Sequence, residues 1–340
     1  MIRSFYVVIL TASALFSQEP PALPKQKGSG APRVIRPGVS TPGVKRRIDT
    51  IKPVAEIGVL GVPDWQAVTN DALWVSNGPK NTVHRIDAKT NKIVAVVEVG
   101  PRPCSGLAVG FGSLWVPLCG ARGTGAGKGL ARVDLKTNKV VATIPIGPAD
   151  SEGGITVSKD SVWIVSDAKG ILTRIDPKTN KMSAEVTVPA GSVAAYYSEG
   201  AVWVTANKSA KLVKVDARKN TVLKEIEVGP EPRFLTAGGG SVWTVNQGDG
   251  TVSRVDAKTD TVLARIEAGI PGGGGEVSFG GGGLWVTVFE IPITFIDAKT
   301  NLVTKQWVGP GGDAIRFGHK SVWLSNLRQQ TVWRIDFSSL

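Results

Sequence analysis

Short runs of β-branched and apolar residues alternate with Gly, Asn and Asp along most of the chain, and no 12-residue stretch carries a helical period. Within this pattern an apolar-Trp-apolar core recurs: Leu73-Trp74-Val75, Leu114-Trp115-Val116, Val162-Trp163-Ile164, Val202-Trp203-Val204, Val242-Trp243-Thr244, Leu284-Trp285-Val286 and Val322-Trp323-Leu324. The Trp residues lie 38 to 48 positions apart. An apolar residue followed by Asp comes 12 or 13 positions after the Trp in six repeats and 19 after it in the second, at Asp87, Asp134, Asp176, Asp216, Asp256, Asp297 and Asp336. Two independent marks recurring seven times define an internal repeat.

Each repeat reads as four strands, A to D. Gly106 to Val109 typifies strand A, the Trp lies in strand B, Thr251 to Asp256 typifies strand C, and Val140 to Ile146 typifies strand D. Four strands every 40-odd residues predict an all-β, seven-bladed β-propeller of four-stranded blades. The seventh repeat stops after strand C. Pro53 to Val59 matches the strand D pattern and precedes the first strand A, so this N-terminal strand is predicted to complete the C-terminal blade. Such closure removes the last unpaired sheet edges. Arg47-Ile48-Asp49 resembles a strand C ending, but Arg334-Ile335-Asp336 already fills that place, so it reads as a vestige.

The N-terminus departs from the repeat. After Arg3, Phe5 to Phe16 is a mostly apolar run, followed by small residues suited to cleavage. Residues 1–17 therefore read as a signal peptide, which predicts a secreted or periplasmic protein. The run falls short of the roughly 20 residues a spanning helix needs, and no other run is longer, so no membrane span is expected. Residues 18–47 hold six Pro and seven cations against one acid and read as a disordered basic linker. The propeller is assigned to 48–340.

Charge changes this picture by its position. The chain has 340 residues and a formal net charge of +12. Seven of those charges fall before residue 48, leaving the blades nearly balanced. A basic tail fits weak contact with a polyanion. The blades do not read as a nucleic-acid surface, because the ring of turn lysines (Lys89, Lys92, Lys136, Lys139, Lys178, Lys181, Lys258, Lys299) lacks interleaved aromatics.

The repeat marks carry a resemblance. Trp74-Val75-Ser76-Asn77, Trp323-Leu324-Ser325-Asn326, Trp203-Val204-Thr205-Ala206-Asn207 and turns such as Asp87-Ala88-Lys89-Thr90-Asn91-Lys92 and Asp176-Pro177-Lys178-Thr179-Asn180-Lys181 resemble the YVTN repeat, over about residues 54 to 336. The resemblance implies the propeller fold and export in bacteria, and it implies no particular reaction. The streptogramin-inactivating lyases are similar seven-bladed relatives. Those lyases use His with Glu around Mg²⁺. The two histidines here, His84 inside strand C and His319 in an A–B turn, lie away from the channel mouth and form no common site.

The repeat Trp are read as core, and the repeat Asp as turn formers that accept from backbone N–H groups. Trp65, Trp307 and Trp333 break the pattern, and Trp65, at the start of strand A, is the candidate ligand-facing aromatic. A two-residue turn at Phe111-Gly112 would set Cys104 opposite Cys119, so a disulfide is expected. The Gly-rich run from Gly120 to Gly129 lacks the Ser or Thr and the helix of a phosphate loop, and reads as a B–C loop and candidate lid. Gly272 to Gly275 reads as a D–A connection.

Propeller ligands sit where D–A and B–C loops converge. Alignment on the repeat Trp places Asp64, Trp65, Ser105, Glu152, Arg233, Glu276 and Asp313 there, with Asn77, Asn246 and Asn326 ending strand B nearby. Carboxylates facing one another across a channel favour a cation or a small polar ligand. The function expected is a monomeric binding or interaction scaffold whose ligand or protein partner sits at that mouth. The alternative is a divalent-metal-assisted lyase or hydrolase that holds Mg²⁺ or Ca²⁺ with Glu152, Glu276 and Asp313.

Overall fold

The computed structural model describes residues 38–340, and the expected signal peptide and the first part of the expected linker lie outside them. Seven antiparallel sheets follow one another around a ring. Strand A of each blade is innermost: Pro63–Val68, Ala108–Gly110, Ile155–Val157, Ser192–Ser198, Pro232–Gly238, Glu276–Gly280 and Ile315–Gly318. Strand B carries the repeat Trp, and strand C ends on the repeat Asp. Strand D of blade 7 is Ala55–Gly58, which pairs antiparallel with Thr331–Asp336, so the chain's own N-terminal strand closes the ring as the pattern predicts.

The seven repeat Trp are fully buried and fill the spaces between blades. Burying an indole removes roughly 150–250 Å² from water, on the order of 5 kcal/mol at about 25 cal/mol/Å². Five of the indoles donate to a backbone carbonyl five residues earlier, for instance Trp243 Nε1 to Gly238 O at 3.1 Å. Trp163 donates to the Ser158 hydroxyl instead. The repeat Asp accept from the N–H two residues on, as Asp256 does from Lys258 at 2.9 Å, which shapes the C–D turns of blades 1 to 6, while Asp336 caps the short C-terminal helix Phe337–Ser339 in the same way.

A device not read from the sequence joins the blades. In strand C, two residues before the Asp, a cation faces the repeat Trp and lies over its ring, from Arg254 at 4.7 Å to Arg85 at 5.8 Å. Its head group reaches the left-handed residue of the next blade's C–D turn: Arg85 to Asn138, Arg132 to Asn180, Arg174 to Asn220, Lys214 to Asp260 and Arg254 to Asn301. Arg334 reaches Asn91 at 2.8 Å and so carries the latch from blade 7 back to blade 1. Blade 6 has Phe295 at this position, opposite Trp285. There Phe295, Phe317 and Phe337 surround the Trp285 ring at 4.4 to 6.3 Å, an apolar substitute for the missing cation.

The expected linker ends earlier than its composition indicated. Lys45–Arg47 is a strand, paired parallel with blade 6 strand D, Leu302–Val308. That strand D buries Val303, Gln306 and Trp307, whereas the other D strands expose aliphatics such as Val141 and Leu263, so this edge needs a cover. Val44 and Ile48 are buried on either side of the covering strand, and Arg46 lies over Trp307 at 5.7 Å. Arg47-Ile48-Asp49 is therefore part of a seal and not a vestige, with Ile48 filling the space above Gly309, whose φ is +134°.

Candidate functional site

Asp64 and Trp65 lie in blade 1 strand A, Glu152 in the blade 2–3 loop, Glu276 at the start of blade 6 strand A, and Asp313 in the blade 6–7 loop. Four carboxyl groups from four blades thereby meet at one end of the channel. The Asp64 and Asp313 carboxyls lie close enough to perturb each other's ionisation. Burial raises Asp64 well above the usual carboxylate range, and the charge and hydrogen bond of Asp313 add to it. Burial likewise raises Asp313, with repulsion from Glu152 and Glu276, while the Asp64 hydrogen bond pulls the other way. Glu152 is pushed up to about 7, first by burial and then by Asp64, against the opposing charge of Arg233. Glu276 is pushed up to about 8, because its burial outweighs Arg316.

Glu276 has a structural duty as well. It accepts from the Ile315 N–H at 3.1 Å and pairs with Arg316, which ties blade 6 to blade 7. Arg233 pairs with Asp150 at 3.2 Å, and Asp150 in turn accepts from the Glu152 N–H at 2.8 Å. Asp150 and Arg316 were missed in the sequence. Arg316 had a signal: it stands opposite Trp323, where the other strands A place Ala67, Ala108, Thr156, Tyr196, Thr236 and Ser278.

Below the carboxyl groups the channel holds a cavity of about 390 Å³. It runs from Val68, Tyr197, Phe279 and Phe317 to Trp65, Phe234 and Glu276. Trp65 is 3% exposed and lies 5.8 Å from Phe234, ring centre to ring centre. Its indole N–H has no partner, and neither do the buried Ser105 hydroxyl and Asp313 Oδ2. Buried polar atoms in native proteins are nearly always satisfied by protein, water or ligand, so this end of the channel has hydrogen-bonding capacity to spare.

The three amides expected at the mouth do other work. Asn77 donates to Leu60 O and accepts from Val62 N, which holds the loop into strand A. Asn246 is consumed by Thr244, Thr251 and Ser253. Asn326 accepts from Gly312 N, beside Asp313, and its Nδ2 is unpartnered. Each lies at a strand B end, as read, but is buried within the sheet, so the first two are fixtures of the scaffold.

Cys104 and Cys119 are disulfide-bonded with Cα atoms 5.9 Å apart. The register set by the two-residue turn at Phe111-Gly112 holds at Ala108–Trp115, then slips by two residues at the Pro103–Leu118 bridge. The bond ties the root of the Gly120–Gly129 loop to the residue preceding Ser105, whose own φ is +66°. The loop folds on itself, with Ala121 N donating to Ala126 O at 2.8 Å. His319 bonds Thr69 O at 2.9 Å across the blade 7–1 junction, and His84 is buried in blade 1, its imidazole held below its usual range by burial. Among the described residues no group of three or more His, Cys, Asp and Glu side chains is arranged to hold a metal ion, and no helix is long and apolar enough to cross a membrane.

No family model matches the chain, and no curated protein matches it. Solved structures do. A streptogramin B lyase structure superposes with a TM-score of 0.69 at 16% identity, over 83% of this chain and 96% of that one. A chain of Kuenenia stuttgartiensis hydrazine synthase superposes with a TM-score of 0.68 at 15% identity, over 82% and 96%. At this identity the likeness is one of fold: the protein is a seven-bladed propeller similar to the lyase.

Proposed function

We propose that the protein is an exported binding propeller of the YVTN-repeat type that takes a cationic or polar ligand, free or carried by a partner, at the carboxyl-lined end of its channel. The observation that carries this is the meeting of Asp64, Glu152, Glu276 and Asp313 from four blades, above a cavity, with unpartnered polar atoms beside them. Arg233 and Arg316 offset two charges, with Arg233 committed to Asp150 and Arg316 to Glu276. As the raised carboxyls ionise towards pH 8, the negative potential that develops in the narrow low-dielectric channel attracts cations. The Trp-Val-Ser-Asn and Asp-Ala-Lys-Thr-Asn-Lys marks support the repeat type, and the apolar run before residue 17 supports export.

A metal-assisted lyase or hydrolase is the second reading, favoured by the fold it shares with a streptogramin B lyase. Glu152, Glu276 and Asp313 would be its ligands for Mg²⁺ or Ca²⁺. They spread over three blades without forming a three-ligand group, and Glu276 is engaged by Arg316, which weighs for binding over catalysis. Thermal shift with Mg²⁺, Ca²⁺ and small organic cations, on wild type and on Glu152→Gln, tests both. Stabilisation by a cation that Glu152→Gln abolishes is expected. No response to any cation would sink the metal-assisted reading and the cationic form of the binding reading.

A further inference from the structure

The channel end has two halves of different chemistry that touch at Glu276. One is the carboxyl group set. The other is the cavity, whose wall carries Trp65, Phe234, Tyr196, Tyr197, Phe279 and Phe317 from five blades. A bare divalent ion would use only the first half, and it needs several oxygens at about 2.0–2.6 Å from one point. The carboxyl groups here do not converge in that way. An ammonium nitrogen is served by acceptors at ordinary hydrogen-bond distance arranged around it, and by aromatic faces within about 6 Å. The site offers both kinds of group, and Asp313 Oδ2, Ser105 Oγ and the cavity-lining Trp65 Nε1 are buried without partners.

We infer that the ligand of this site is an organic ammonium with an aromatic or apolar body, its nitrogen among Asp64, Glu152 and Asp313 and its body in the cavity along Trp65 and Phe234. This rests on the binding reading above and narrows it. The body accounts for a cavity of about 390 Å³ that an inorganic cation leaves unused. Displacing water from it adds apolar burial to the charge interaction. Binding is also linked to protons. The charged groups facing the nitrogen are Asp64, Glu152, Glu276, Asp313 and Asp150, with Arg233 and Arg316, and the first four have their pKa values raised. A cation seated among them favours their ionised forms, so it releases protons, and affinity rises with pH across 6 to 8.

The test is isothermal titration of the full chain at pH 8 with phenethylamine, its neutral counterpart 2-phenylethanol, methylammonium, MgCl₂ and CaCl₂. Phenethylamine is expected to bind at least about 10-fold tighter than 2-phenylethanol and methylammonium, which corresponds to about 1.4 kcal/mol. Its heat should depend on the buffer in the direction of proton release. Glu152→Gln is expected to weaken it about 10-fold, and Trp65→Leu to bring it down to the affinity of methylammonium. Because the ligand series is run on wild type, the outcome does not depend on either variant folding. Tight Ca²⁺ or Mg²⁺ binding without phenethylamine binding overturns this inference and leaves the cation reading standing. Equal binding of phenethylamine and 2-phenylethanol overturns this inference but leaves a polar ligand open to the binding reading, and binding of no cation at all overturns this inference and the cation reading together.

Discussion

Glu152→Gln gives a stability effect whose size depends on pH. Glu152 is half-buried, accepts no side-chain hydrogen bond, and has its carboxyl raised from an ordinary 4.5 to about 7 by burial and by Asp64. Between those values the folded chain holds a proton that the unfolded chain has lost, so stability falls as pH rises, by about 1.4 kcal/mol per pH unit per proton. Over the full interval one proton would cost about 3 kcal/mol. Channel water and coupling to Asp64 reduce this to about 1–3 kcal/mol. Gln carries no charge at any pH. The variant should therefore match wild type near pH 4.5 and become more stable than it by about 1–3 kcal/mol at pH 8. Urea unfolding of both proteins at pH 5, 6, 7 and 8 measures the difference. The turn aspartates, Asp256 among them, have lowered pKa values, so what they contribute is lost only as pH falls below the ordinary carboxylate range, outside this window. A wild type equally stable at pH 5 and 8, or a Gln variant whose offset does not change with pH, would refute the argument.

Three further outcomes are expected. Arg334→Ala removes the bonds to Asn91 and Ser321 and the stacking on Trp323, and should cost about 2–4 kcal/mol in urea unfolding, while Arg328→Ala, an exposed ion pair with Glu290, should stay within about 0.5 kcal/mol. Reducing the Cys104–Cys119 bond, which closes 15 residues, should lower stability by about 3 kcal/mol, read as the change in urea midpoint with and without reductant. Ile48→Ala should cost about 2–4 kcal/mol and speed amide exchange in Leu302–Val308, which checks the seal on blade 6.

The blades were legible because each states its strand order twice, once in the Trp and once in the Asp, and a pattern repeated seven times outweighs any local ambiguity. The latch was equally present in the letters, as Arg-Ile-Asp, Arg-Val-Asp and Lys-Val-Asp, but its meaning depends on the neighbouring blade's turn, which lies 46 to 53 positions further on. Lys45–Arg47 gave no strand signal, because an edge strand held by backbone bonds needs no apolar alternation. Alignment on the Trp brought Asp64, Glu152, Glu276 and Asp313 to one place, since the inner strands keep a common height. It could not tell Asn246, consumed by its own sheet, from a free amide, and it passed over Asp150 because a partner one blade pair away is invisible to spacing.

Ring closure also bears on how the chain folds. Gly61 N and Gln330 Oε1, 269 residues apart in sequence, meet at 3.1 Å where blade 7 is completed. Loop-closure entropy grows only with the logarithm of length, so joining ends this distant costs just a kcal/mol or two more than joining neighbouring blades. The kinetic burden is larger, because contacts of high sequence separation form late. Six blades can assemble in order, each latched to the one before. Until Ala55–Gly58 finds blade 7, the arc would present the open edge of Thr331–Asp336 at one end and that unpaired strand at the other. The arc is the state most exposed to pairing with another molecule, and refolding yield should therefore fall with protein concentration more steeply than the stability of the finished ring suggests.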